Sequence, residues 1–228
     1  MTKSQLAFVL GAIYALFPAH GQGTFRNLNF EQANVPDIPS GQFGEFVPIT
    51  SGLPGWTGYR GTNQIQQILH NNETLGGASI SILGPNYDTS LIIEGHYTAM
   101  LQSGVGFGGS IVDTSIAQVG LIPLNTPFLF FRSWGSTFFS VSFDGEPIAL
   151  SPFGSGSNYI SYLGDVSMFV GQTGELRFTA LGTPQNFAQP IGLDRINFSA
   201  VPEPSTWALV GLGCLFFTFR FWQKRGRQ

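Results

Sequence analysis

Short runs in which every second side chain is apolar set the fold class of this chain. Ser79-Ile80-Ser81-Ile82-Leu83, Phe139-Ser140-Val141-Ser142-Phe143 and Leu176-Arg177-Phe178-Thr179-Ala180 all alternate. Successive side chains of a strand point to opposite faces, so such a run buries one face and wets the other. Leu193-Asp194-Arg195-Ile196-Asn197-Phe198, apolar at 193, 196 and 198, reads as a further half-buried strand. The continuous apolar stretches 91–93 and 128–131 suit strands deeper in a core. Asp144-Gly145 between two such segments predicts a hairpin turn. Gly84-Pro85-Asn86, Gly174 and Gly182-Thr183-Pro184 are further punctuation. Only 63–69 could pass for a turn of helix, and its Ile65, Ile68 and Leu69 spacing is ambiguous. About ten or more short strands between turns predict an all-β fold, a single antiparallel β-sandwich. The 30 Gly and 22 Phe agree, because Gly weakens helices and aromatics favour strands.

The two ends read differently. After Lys3, residues Leu6 to Phe17 form a 12-residue uncharged, apolar run, and small residues follow at Ala19, Gly21 and Gly23. A basic end, a short apolar core and a small-residue cleavage site make a secretory signal peptide, assigned to 1–23 as an N-terminal helix. The run is shorter than the ~20 residues that span a bilayer. Its expected partners are the secretion translocon and signal peptidase.

At the other end, Val201-Pro202-Glu203-Pro204-Ser205-Thr206 precedes an apolar stretch. The two prolines exclude regular helix or central strand there. Trp207, Leu209, Val210, Leu212, Leu215, Phe216, Phe217 and Phe219 supply the apolar surface of an expected transmembrane helix, 207–222. It is short for a bilayer, but Arg220 can snorkel and the two Trp can sit at the interfaces. Arg220, Lys224, Arg225 and Arg227 would hold the C-terminus in the cytoplasm as a stop-transfer cluster.

This order, Pro-Glu-Pro, apolar helix, basic cluster, resembles the PEP-CTERM sorting signal of Gram-negative bacteria, and covers 200–228. The resemblance implies that Pro202, Glu203 and Pro204 form the recognition motif for an exosortase, a membrane cysteine protease or transpeptidase. It further implies an inner-membrane sorting intermediate and then the cell surface or extracellular matrix, in company with exopolysaccharide.

Between the ends, 24–199 holds twelve acidic residues and five arginines with no Lys, a balance of −7 hidden by the −3 of the whole chain. An acidic, Lys-free surface argues against nucleic acid as a partner. The single Cys, Cys214, lies in the apolar C-terminal stretch, so the exported domain has neither a disulfide nor thiol chemistry.

Asn27-Leu28-Asn29-Phe30-Glu31, Leu53-Pro54-Gly55-Trp56 and the closing Leu193-Asp194-Arg195-Ile196-Asn197-Phe198 are similar to the first and last segments of galactose-binding-like jelly rolls. The resemblance implies a jelly-roll sandwich over 24–199. It also implies a structural Ca²⁺ held by Glu31 and Asp194 at the first and last strands. Arg195 stands where that family often has Asp or Asn, and a Glu31–Arg195 ion pair is the alternative. A carbohydrate-binding module would need an aromatic platform. Trp56-Thr57-Gly58-Tyr59-Arg60 is the best local candidate, with Trp56 and Tyr59 as the stacking residues; Trp134, Tyr87, Tyr97, Tyr159 and Tyr162 are further aromatics, most of them expected in the core.

Catalytic signatures are weak. Gly104-Val105-Gly106-Phe107-Gly108-Gly109 matches a dinucleotide fingerprint in letters only, since a strand pattern follows it. Asp88-Thr89-Ser90 and Asp113-Thr114-Ser115 read as turns. His70 and His96 have no local third metal ligand. The sequence therefore points to a non-enzymatic exported surface or matrix protein. A carbohydrate-binding module is the alternative, and a glycoside-active enzyme would need two facing carboxylates.

Overall fold

The structure is a computed structural model, and it describes residues 23–185 and 187–200. The signal peptide lies outside the described residues except for Gly23, and the sorting segment lies outside them except for Ala200. No helix among the described residues is long and apolar enough to cross a membrane.

Most of the described chain is strand. A larger sheet runs β1 (Phe46–Pro48), β4 (Gln67–His70), β5 (Ser79–Leu83), β6 (Thr98–Gln102), β16 (Pro190–Ser199), β10 (Phe128–Gly135), β14 (Ile160–Asp165), β13 (Leu150–Ser155). A smaller sheet runs β12 (Glu146–Pro147), β11 (Phe139–Phe143), β15 (Thr173–Ala180), β9 (Thr114–Leu121), β2 (Thr57–Arg60), β3 (Asn63–Ile65). β7 (Gly104–Val105) and β8 (Ile111–Val112) form a separate hairpin joined to residues 76–78 through Val105, so the glycine-rich stretch is β7 and the turn that follows it. The pairings are antiparallel except β4 with β5, which are parallel, Leu69 opposite Ser81. The stretch 63–69 is β3 and β4 and not helix: β2 and β1 take up its backbone groups, with Ile65 opposite Gly58 and Leu69 opposite Phe46. The one α-helical turn, α1 (Ile49–Gly52), bridges β1 and β2.

Inward side chains of the alternating strands build one core. Phe131 of β10 meets Phe178 of β15 edge-on at 5.1 Å, joining the two sheets as a sandwich. Ile80, Ile82, Leu129, Leu176 and Leu193 are sealed around them. Asp144-Gly145 closes the β11–β12 hairpin with φ of 50° and 83°, the left-handed pair that such a two-residue turn requires.

The irregular apolar spacing at 193, 196 and 198 has a specific cause. Arg132 stands opposite Asp194 and Phe130 opposite Asn197, so residues 195 and 196 face the single residue 131. This β-bulge, with Arg195 at φ 49°, turns Leu193, Ile196 and Phe198 all inward.

Strand directions give the sandwich two distinct ends. Leu121 N–H donates to Thr24 Oγ1 at 2.7 Å, and Ser199 pairs with Phe128. The first and last described residues therefore lie at the same end. The turn of the β13–β14 hairpin and the C-terminal end of β10 lie at the other.

Candidate functional site

Residues 84–97 cross the outer face of the larger sheet as a strap, and polar side chains from distant strands hold it down. Asn71 Oδ1 accepts from Gly84 N–H at 2.7 Å. Trp134 Nε1 donates to the Leu91 carbonyl at 2.7 Å, and Asn158 Nδ2 to the carbonyls of Ser90 and Ile92 at 2.9 and 2.8 Å. Glu94 receives the guanidinium groups of both Arg132 and Arg195. Glu31 Oε1 accepts from the backbone N–H groups of His96 and Tyr97 at 2.9 and 3.0 Å. Asp194 Oδ2 accepts from Glu94 N–H at 3.1 Å, and its Oδ1 from Arg195 N–H at 2.6 Å. Gly95 is required here: a Cβ on it would lie 2.4 Å from Glu31 Oε1.

Glu31 and Asp194 are thus brought to one place, as the sequence suggests, but as acceptors for the strap's N–H groups. Burial, reinforced by the negative charges of Glu31 and Glu94, pushes the Asp194 carboxyl up to about 8 against its two backbone hydrogen bonds. Calcium takes 6–8 oxygen ligands. The strap offers these carboxylates N–H donors, the wrong polarity for a shared cation. Among the described residues no three of His, Cys, Asp and Glu stand together as metal ligands. Arg195 pairs with Glu94 at 2.8 Å.

Trp56 is a core residue and not a ligand platform. Its ring is 4% exposed and sits between Phe30, 5.8 Å away, and Phe178, 6.2 Å away. Its Nε1 donates to the Asn27 carbonyl at 3.1 Å, so the N-terminal segment folds over it. Tyr59 lies on the outer face of the smaller sheet, with the Arg177 guanidinium 4.3 Å from its ring centroid. Arg177 also donates to Glu175 and to Ser115 Oγ, both at 2.8 Å. The two residues named together in the sequence therefore stand on opposite sides of their sheet.

A different set of aromatics lines a cleft of about 270 Å³ at the end remote from the chain termini. Its walls are 133–136 at the end of β10 and 155–160 at the β13–β14 turn, brought side by side by the Ser133–Ile160 pairing. Trp134 lies over bare backbone: a Cβ on Gly192 would come within 2.1 Å of its indole. Its N–H is spent on the strap, so the indole offers the cleft a π surface. Tyr159 closes over Gly156, with the Arg132 guanidinium 4.4 Å from its centroid. Tyr162 stacks on Phe131 at 5.3 Å and is buried; burial raises its phenol above the ordinary value. Ser136, Ser155, Ser157 and Asn158 supply hydroxyl and amide groups, and no charged residue is among the described residues of the lining. Trp134, Tyr159 and Tyr162 are legible in the sequence only as aromatics; the register that gathers them is not.

His70 is buried, which lowers its pKa against the opposing effect of Asp37, and its Nδ1 has no hydrogen-bond partner. His96 is exposed beside Glu31, 3.3 Å from its carboxylate.

The PEP-CTERM protein-sorting motif matches residues 200–225. That motif implies an exported protein with a membrane-associated sorting step and processing by an exosortase. No curated protein matches the chain. Among solved structures, the chain is similar to a cyclase from Fischerella sp. TAU at 13% identity and TM-score 0.41, covering 80% of this chain and 97% of that one. It is similar to TmCBM61, solved in complex with β-1,4-galactotriose, at 9% identity and TM-score 0.41, covering 78% and 98%. It is also similar to a family 11 carbohydrate-binding module from Clostridium thermocellum, solved with a β-1,3-1,4-mixed-linked tetrasaccharide, at 12% identity and TM-score 0.35, covering 70% and 96%.

Proposed function

We propose that this is a non-catalytic, exosortase-sorted surface protein whose jelly-roll domain holds a neutral glycan of the exopolysaccharide or envelope in the Trp134 cleft. The observation that carries the reading is the composition of that cleft: an indole fixed over Gly192, ringed by serines and Asn158, with no charge among the described residues of the lining. Sugars present an apolar C–H face and a rim of hydroxyls, and an aromatic face with hydroxyl and amide partners complements both. The volume lies just below the ~300–1,000 Å³ usual for small-ligand sites, which suits one stretch of a chain threading past and not a swallowed ligand. A glycosidase would need two opposed carboxylates, and the described residues of the lining supply none. The sorting half of the proposal includes cleavage of the signal peptide and passage through the inner membrane on the 207–222 segment. Mass spectrometry of the mature protein tests it: an intact Met1 and an uncut C-terminal segment in the exported form would refute both processing steps. Co-sedimentation with insoluble neutral polysaccharides tests the binding half, and a folded wild-type protein that sediments with none would refute it.

A further inference from the structure

The end of the sandwich from which the sorting segment departs carries exposed apolar side chains. Leu124 is 72% exposed and Met168 71% exposed. They belong to two loops laced side by side: Gly171 N–H donates to the Ile122 carbonyl and Ile122 N–H to the Gln172 carbonyl, both at 3.0 Å, and Val166 N–H to the Pro127 carbonyl at 2.8 Å. The chain leaves at this same end, since Ser199 is paired with Phe128, the residue after Pro127. The N-terminal segment arrives there too, with Gly23 against Leu121 and Pro123. From Ala200 the chain reaches Trp207 in seven residues, at most about 25 Å however it runs.

These facts select the occupant of the patch. We infer that, while the sorting segment is anchored, Leu124 and Met168 seat this end of the sandwich in the headgroup boundary of the bilayer. This rests on the proposed membrane-anchored intermediate. Apolar loop tips beside an anchor lie where lipid is nearest, and side chains of this kind enter the interface without a charge to desolvate. The acids at this end are Asp165, paired in register with Phe128, Glu175, opposite Val119, and Asp144 and Glu146 of the adjoining hairpin, so a zwitterionic surface suits the patch better than an anionic one. The Trp134 cleft, at the opposite end of β10, then faces away from the membrane by roughly the 25 Å length of an eight-residue strand. Seating at one end would present the glycan site at the other.

Depth-dependent quenching tests the inference on the full chain in phosphatidylcholine vesicles containing spin-labelled lipid. With Cys214→Ser as background, an environment-sensitive fluorophore is placed at Leu124→Cys, at Met168→Cys or, as far-end control, at Phe107→Cys, which is 98% exposed on the β7–β8 turn. We expect a blue shift and loss of fluorescence at 124 and 168 with headgroup-level quencher and no change at 107. Unquenched labels at 124 and 168, with a label on native Cys214 still quenched, would overturn the seating while leaving the anchor intact. An unquenched Cys214 label would overturn the anchored intermediate and the seating with it. The two loop positions are read separately, so misfolding of one variant leaves the other decisive.

Discussion

Arg132 and Asp194 stand opposite each other across β10 and β16, yet the guanidinium of Arg132 goes to Glu94. Asp194 is left 1% exposed with backbone N–H groups from Glu94 and Arg195, and its carboxyl is raised to about 8. The strap carries the negative charge that the arginine answers, and the buried acid anchors the strap's backbone.

That arrangement gives a pH dependence with a defined sign. A carboxyl whose folded pKa lies above its unfolded value of 3.8 favours the folded state while protonated. The contribution is complete below about pH 4 and is lost as pH rises through about 8. Asp194→Asn keeps a neutral, hydrogen-bonding side chain and should remove this slope. Between pH 5 and 8.5 we expect the wild type to lose on the order of 4 kcal/mol relative to the variant, read from urea unfolding. His70 acts in the opposite sense below its ordinary pKa, since burial disfavours its charged form, but it is common to both proteins. Equal slopes in the two proteins would show that Asp194 is ionised when folded.

Glu31 should matter through the strap and not through a metal. Glu31→Gln weakens the acceptor of two backbone N–H groups, and hydrogen bonds to charged groups contribute about 1.5–3 kcal/mol. Amide hydrogen exchange should accelerate at His96 and Tyr97 more than at the strands beneath. Calcium in excess over chelator should leave the melting temperature unchanged. A calcium-dependent rise that disappears in both Glu31→Gln and Asp194→Asn would restore the calcium site.

Trp56 and Tyr59 should separate cleanly. Truncating a buried aromatic costs about 3–5 kcal/mol, so Trp56→Ala should unfold at much lower denaturant. Tyr59→Ala loses a cation–π contact of roughly 0.5–1 kcal/mol and should stay folded. Matching unfolding midpoints for the two variants would contradict the assignment of Trp56 to the core.

What the sequence makes legible here is local. Alternation at 79–83, 139–143 and 176–180 marks strands, and Asp144-Gly145 marks its turn, because both signals are written in neighbouring residues. The 193/196/198 spacing carries the bulge, but its meaning depends on the single residue 131 opposite. Trp56 resembles a loop aromatic because Gly55, Gly58 and Arg60 surround it in sequence; Asn27 and Phe30, far away in the chain, bury it. The strap is a sum of long-range hydrogen bonds to Asn71, Trp134, Asn158 and Asp194, none of which local pattern records. The cleft likewise depends on the β10–β14 register, and Trp134 owes its orientation to the missing side chain of Gly192.

The most direct measurement is retardation of the full chain, in mild detergent, by neutral polysaccharides (galactan, glucan, xylan) and by a uronate-rich polymer in native gels. We expect at least one neutral polymer to retard the wild type and Tyr59→Ala, and Trp134→Ala, with an unchanged circular-dichroism spectrum, to bind it about tenfold or more weakly. Retardation by Trp134→Ala equal to that of the wild type, or binding to the uronate polymer alone, would contradict a neutral-glycan site in this cleft.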